Sequence, residues 1–459
     1  MSIVLDSTLA NTTAVIAIAA HEYENFLAKS PARTRTWLAA TEFRAAPHTH
    51  ALLPDETGRI ANVLVGVREA GDIYALSHLP LALPAARYAL APAFEGGIAL
   101  PPQTAALSWQ LGAYQFTRYK NARREPATLV LPPADAVNAA LDTFAAVKLV
   151  RDLVNTPTED MGPQHLSAVA QSLAKEFGAT FREWVGEELL ANNFPAIHAV
   201  GRASHRPPRL IELNWGDDAH PRVAIVGKGV CFDTGGLNIK GADGMRWMKK
   251  DMGGAAHALA LARMIMQAKL PLRLQMLVPA VENAIAGNAY RPGEVLQTRK
   301  GHTIEIGNTD AEGRVILSDA LAYAAESKPA ILIDFATLTG AARVALGPEL
   351  PATFCNRDDW FGRLEAASRA AQDPLWRMPL WQNYNAMIDS HIATINNTGG
   401  PQAGAITAAL FLEHFVPREQ AWIHIDTFSW NPKSRPGRPE GGEAQSLRAV
   451  FAMLVNHQG

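Results

Sequence analysis

The chain has 459 residues, 48% of them apolar, with a formal net charge of −2 and an isoelectric point near 6.7. That length exceeds one typical core and predicts two domains, and the apolar share argues against disorder. The near-neutral charge, with no basic tract, gives no reason to expect nucleic acid or an anionic membrane surface as a partner.

Ala14 to Ala20 is the first apolar stretch. It is too short for a secretion signal, lacks a preceding basic run and is followed by His21-Glu22-Tyr23-Glu24-Asn25. That pentapeptide starts like a zinc-peptidase HExxH helix, but it ends in Asn25 and reads as a solvated helix face. Up to about position 130, short β-like runs such as Ala61 to Val67 and Thr128 to Leu131 alternate with alanine-rich helical stretches. Pro132-Pro133 then punctuates the chain. From Ala134-Asp135 onward Val137, Ala140, Leu141, Phe144, Val147, Val150 and Val154 recur at helical spacing, and Asn155-Thr156-Pro157 ends the pattern. The division this predicts is an N-terminal α/β domain (1–133), a linker helix (134–155) and a C-terminal domain (156–459). No apolar run reaches the roughly 18 to 20 residues that span a bilayer. Two cysteines, Cys231 and Cys355, form no CxxC pair, which suits a reducing compartment, so a cytoplasmic protein is expected.

In the C-terminal domain the apolar runs Arg209 to Leu213, Val223 to Gly227, Leu274 to Pro279 and Ala330 to Phe335 alternate with amphipathic patterns at Gly253 to Gln267 and Ile316 to Ala325. Strands separated by helices predict a mostly parallel sheet covered by helices, with ligands gathered at the carboxyl ends of the strands. Lys228 and Thr337 fall there. Three acidic segments share the region: Val226-Gly227-Lys228-Gly229-Val230-Cys231-Phe232-Asp233-Thr234-Gly235-Gly236-Leu237-Asn238-Ile239-Lys240, then Met248-Lys249-Lys250-Asp251-Met252-Gly253-Gly254, and Asn308-Thr309-Asp310-Ala311-Glu312-Gly313-Arg314. The last follows a strand-like run, Thr303 to Ile306, and is expected where that strand gives way to a loop. Four carboxylates cannot converge unpaired in an interior: either they stay apart in water or cations hold them together. Glycine-flanked acids on three segments favour the second account. Lys228-Gly229 lacks the spacing of a phosphate loop, and Cys231, among apolar neighbours, reads as packing filler.

These segments closely resemble the leucyl (cytosol) aminopeptidase family of dinuclear metallo-exopeptidases. Arg291-Pro292-Gly293-Glu294-Val295, Ala336-Thr337-Leu338-Thr339-Gly340 and Gly404-Ala405-Ile406-Thr407-Ala408-Ala409-Leu410-Phe411-Leu412 extend the likeness in family order over most of the chain after Arg151. The resemblance implies two divalent ions per subunit, manganese or zinc, with magnesium or cobalt tolerated by the same donors. Asp233 and Glu312 would bridge them, Asp310 would complete one, and Lys228 with Asp251 the other. It further implies Lys240 as the electrophile and Arg314 as the residue that holds a bicarbonate general base. Met248, Asn308, Thr337, Leu338 and Gly340 would bind substrate, with Met248 at the wall of the pocket for the N-terminal side chain. Peptides are the implied substrates, a homohexamer the implied assembly, and a macro-like fold is implied for the N-terminal domain. Some relatives of such enzymes bind DNA as hexamers or keep the fold after losing the site, but every matching position is intact here. The chain departs from the family after Trp422-Ile423-His424-Ile425-Asp426. Thr427-Phe428-Ser429-Trp430 is shorter and bulkier, and the loop Asn431-Pro432-Lys433-Ser434-Arg435-Pro436-Gly437-Arg438 differs altogether. Phe428 reads equally as core or as pocket lining; as lining, it implies a preference for Leu or Met over bulky aromatics.

Overall fold

A computed structural model describes residues 2–93 and 97–456, and the chain divides into two compact units. One comprises Met1–Lys148 and Lys433–Glu440, the other Leu149–Pro432 and Gly441–Gly459. The division falls inside the helix Asp135–Asn155.

The first unit is built on a six-stranded sheet. Its centre is the strand Thr13–Ala19, paired in parallel with Ile60–Val67 and Arg87–Leu90, while His50–Pro54 adds an antiparallel edge. Alternating β-branched residues put Val15, Val63 and Val65 in the interior. Pro432 to Gly442, a Pro/Gly/Arg-rich stretch in the sequence, contributes Lys433–Glu440 to this unit, where the Arg438 guanidinium lies 4.4 Å from the centre of the Tyr74 ring.

The second unit holds a nine-stranded sheet. Ile331–Ala336 lies between Arg222–Gly227 and Trp422–Asp426, all parallel, and Arg273–Asn283 pairs in parallel with the other side of Arg222–Gly227. Antiparallel neighbours occur farther out, at Arg209–Trp215 and Ala352–Cys355. These central strands are apolar on both faces, as a sheet covered by helices requires: Ala224, Ile225, Val226, Leu332, Ile333 and Phe335 are fully buried. The helices Gly253–Gln267 and Glu312–Glu326 pack on it. Arg273–Asn283 runs four residues past the predicted apolar run, because Gly229–Asp233 pairs with its last residues and keeps the polar Glu282 and Asn283 within the ladder. No helix among the described residues is long and apolar enough to cross a membrane.

Candidate metal centre and substrate cleft

Three breaks in regular structure bring the acidic segments together at the carboxyl ends of the central strands. Arg222–Gly227 ends at Lys228, whose amide donates to Phe335 O at 2.9 Å on the neighbouring strand. Gly229–Asp233 then delivers Asp233 beside the end of Arg273–Asn283. Met248–Met252 is a short 3-10 turn carrying Asp251, and it leads into the helix Gly253–Gln267. Gly254 makes that entry possible: a Cβ there would lie 2.1 Å from Phe335 O and 2.8 Å from Lys228 N. The sequence suggested a strand followed by a loop for the third segment. The strand is Thr303–Glu305, one residue shorter than the expected run to Ile306, and Asp310 lies in a turn, but Glu312 opens the helix Glu312–Glu326. Its carboxylate therefore sits at a helix N-terminus, where unpaired backbone N–H groups favour negative charge.

Asp233, Asp310 and Glu312 each place a potential ligand atom within 4.8 Å of the others. Lys228 Nζ lies 2.7 Å from Asp251 Oδ2, 2.9 Å from Glu312 Oε1 and 3.0 Å from Thr337 O. Lys240 Nζ lies 2.7 Å from Asp233 Oδ2 and also pairs with Asp310. Burial opposes the charge on both lysines, but the carboxylates outweigh it and hold both amines above their usual range: Asp251, Glu312 and Asp233 for Lys228, and Asp233 with Glu312 for Lys240. The two lysines do not neutralise the cluster. Burial and then Asp233 push Glu312 up to about 8 and raise Asp310 as well. Glu312 Oε2 is buried with no hydrogen-bond partner among the described residues. Buried, crowded oxygen donors with charge still uncompensated fit hard divalent cations, and carboxylates plus one amine are not the Cys/His set of a structural zinc site.

Residues that the sequence did not single out hold this geometry. Asn283 Nδ2 donates to Asp233 Oδ1 at 2.8 Å and to Thr309 O at 3.0 Å, while the Tyr290 hydroxyl donates to Thr309 O at 2.6 Å. Asn397 Oδ1 accepts from Gly307 N at 2.8 Å, and its Nδ2 donates to Asn308 O at 2.7 Å. Asp426 accepts from Leu338 N at 2.9 Å and from the Thr339 hydroxyl at 2.7 Å, so it shapes the Thr337–Gly340 loop. A signal existed for Asn283 and Asp426, as polar residues closing apolar strands. Asn397 lies some ninety positions from its partners and gave none.

All twelve residues singled out in the sequence line one cleft of about 580 Å³: Lys228, Asp233, Lys240, Met248, Asp251, Asn308, Asp310, Glu312, Arg314, Thr337, Leu338 and Gly340. Arg314 Nη1 donates to Asn397 O at 2.8 Å, its Nε has no partner among the described residues, and burial pushes the guanidinium down to about 10. Phe428, ambiguous in the sequence, lines the cleft with a half-buried ring. Lys250, which in sequence is part of a charged run Lys249-Lys250-Asp251, lines it too, and burial lowers its amine to about 8. Cys231 is fully buried and its thiol is pushed well up, first by burial, in keeping with a packing role. His21 and Glu24 are exposed, as a solvated face requires.

Residues 148–451 match the profile described as the cytosol aminopeptidase family, catalytic domain, and residues 14–132 match that of the M17 aminopeptidase N-terminal domain. A probable cytosol aminopeptidase from Syntrophotalea carbinolica is 41% identical over 362 residues, which is 75% of this chain and 73% of the relative. One from Roseiflexus castenholzii is 41% identical over 363 residues, or 75% and 74%. Among solved structures, cytosol aminopeptidase from Coxiella burnetii superposes with a TM-score of 0.94 at 47% identity, covering 99% of both chains. The bottromycin maturation enzyme BotP in complex with Mn gives 0.88 at 31% identity, covering 98% of this chain and 100% of that one.

Proposed function

This chain belongs to the cytosol aminopeptidase family of metal-dependent exopeptidase hydrolases, and from that premise we propose that two divalent cations serve its release of N-terminal residues from peptides. One observation carries the reading: Asp233, Asp310 and Glu312 gather ligand atoms within 4.8 Å, with Glu312 Oε2 buried and unpartnered among the described residues. Asp233 and Glu312 would be shared by the two cations, Asp310 would complete one set, and Lys228 with Asp251 the other. Lys228 can ligate only as a neutral amine, so loading would release its proton. Manganese is the first cation to test, because BotP is described in complex with it, and zinc the second. When bound, such cations lower the pKa of a water to near neutrality and stabilise charge on the attacked carbonyl.

The protein's own groups would do the rest. Lys240, partly open to the cleft, would donate to the scissile carbonyl oxygen as negative charge develops there. Arg314, anchored on Asn397 with Nε still free among the described residues, would hold a bicarbonate anion to receive the water's proton. Asn308 and the Thr337–Gly340 loop would position the peptide, and Met248 with Phe428 would bound a medium-sized pocket suited to Leu or Met.

Hydrolysis of amino-acid amides tests this reading. The protein should cleave leucine and methionine amides faster than phenylalanine and tryptophan amides, and a chelator should abolish all four activities. Full activity after chelation would sink the metal assignment, and a ranking led by tryptophan would sink the pocket assignment.

A further inference from the structure

Five cationic side chains line the cleft: Lys228, Lys240, Lys250, Arg314 and Arg343. Lys228 and Lys240 pair with carboxylates below 3 Å, Arg314 donates to Asn397 O, and Arg343 is exposed to water. Lys250 differs from all four. It is only 4% exposed, yet its ammonium makes no hydrogen bond to any described residue. The Asp251 carboxylate comes no closer than 3.8 Å, and Lys228 already holds it at 2.7 Å. The Phe428 ring centre lies 5.4 Å from Lys250 Nζ and 4.6 Å from the Arg343 guanidinium carbon, and Asp426 attracts the ammonium while Lys228 and Arg343 repel it. An ammonium has three donors and no acceptor, so a ring face leaves all three unmet. Withdrawing an ammonium from water without hydrogen-bond acceptors is strongly unfavourable, and here it faces a space open to ligand.

Its position suggests what that ligand is. Lys250 shares the turn Met248–Met252 with Met248 and both line the cleft, so on the aminopeptidase reading the pocket assigned to the substrate's first side chain carries a cation. We propose that this pocket selects an acidic N-terminal residue, glutamate above its isostere glutamine, with Lys250 receiving the side-chain carboxylate and Arg343 adding positive charge nearby. The inference rests on the aminopeptidase reading. Glutamate is close to leucine and methionine in length, so the charge preference acts within the medium-sized space that Phe428 leaves.

The test compares kcat/KM for glutamate, glutamine and leucine p-nitroanilides on manganese-loaded protein, wild type and Lys250→Met. A charge-assisted hydrogen bond gained over a neutral one predicts a wild-type glutamate-to-glutamine ratio of about ten or more. In Lys250→Met the ratio should fall to about one or below, because a methionine of similar shape keeps the packing and removes the charge. Each ratio is internal to one protein, so general damage to the variant cancels. Should the variant fail to fold, competitive inhibition of the wild type by free glutamate should exceed that by free glutamine by a similar factor. A wild-type ratio near one, or the same ratio in both proteins, overturns the proposal. None of the three p-nitroanilides cleaved with manganese present would overturn the aminopeptidase reading itself, and this inference with it.

Discussion

Lys240 sits with its Nζ 2.7 Å from Asp233 Oδ2 and paired also to Asp310, its side chain 16% exposed on the cleft side. As the proposed donor to the developing oxyanion, it acts on the transition state more than on the fold. Lys240→Ala should lower kcat by about 10²–10³ while leaving the melting temperature of the manganese-loaded protein nearly unchanged. Wild-type kcat in that variant would remove Lys240 from the chemistry. Arg314→Ala should be milder, and added bicarbonate should not help it. Lys250 shows why single residues are hard to read from sequence. Beside Lys249 and before Asp251 it looks like part of a solvated charged run, and only the fold reveals that it is 4% exposed.

At the scale of elements, Gly313 illustrates how a helix start is fitted to the site. It follows Glu312 in the first turn of Glu312–Glu326, and a Cβ there would lie 2.4 Å from Lys228 Cε and 2.6 Å from its Nζ. Alanine is the better helix former by about 1 kcal/mol. Crowding the buried Lys228 amine away from Asp251 and Glu312 outweighs that gain, so Gly313→Ala should lower the urea midpoint and weaken manganese binding, as calorimetry would measure. Wild-type affinity would show that Lys228 is not confined as described. The same glycine explains the misjudged helix start: between Glu312 and Arg314 it reads as a turn residue, and the apolar periodicity becomes visible only from Ile316. Strands of continuous apolar residues, such as Arg222–Gly227 and Ile331–Ala336, were legible because both faces are covered. The polar end of Arg273–Asn283 was not, since its membership depends on a partner strand fifty positions away. In the same way the acidic segments announced themselves by glycine and charge, whereas the asparagines that orient them are fixed by long-range contacts that sequence spacing does not encode.

At the scale of the molecule, each unit carries its own sheet, and the cleft is built wholly from the second. We propose that the chain assembles as a homohexamer, on the strength of its family; a monomer mass by light scattering at micromolar concentration would reject this. The buried acidic cluster is proposed to be a two-cation catalytic centre. Manganese bound per chain, counted along a titration of the metal-free protein with leucine-amide turnover followed in parallel, tests it most directly. Two ions should bind per chain, turnover should reach its full value only as the second site fills, and both ions should be lost in Asp233→Asn. Full turnover with no ion bound, or saturation at two ions with Asp233 replaced, would contradict it.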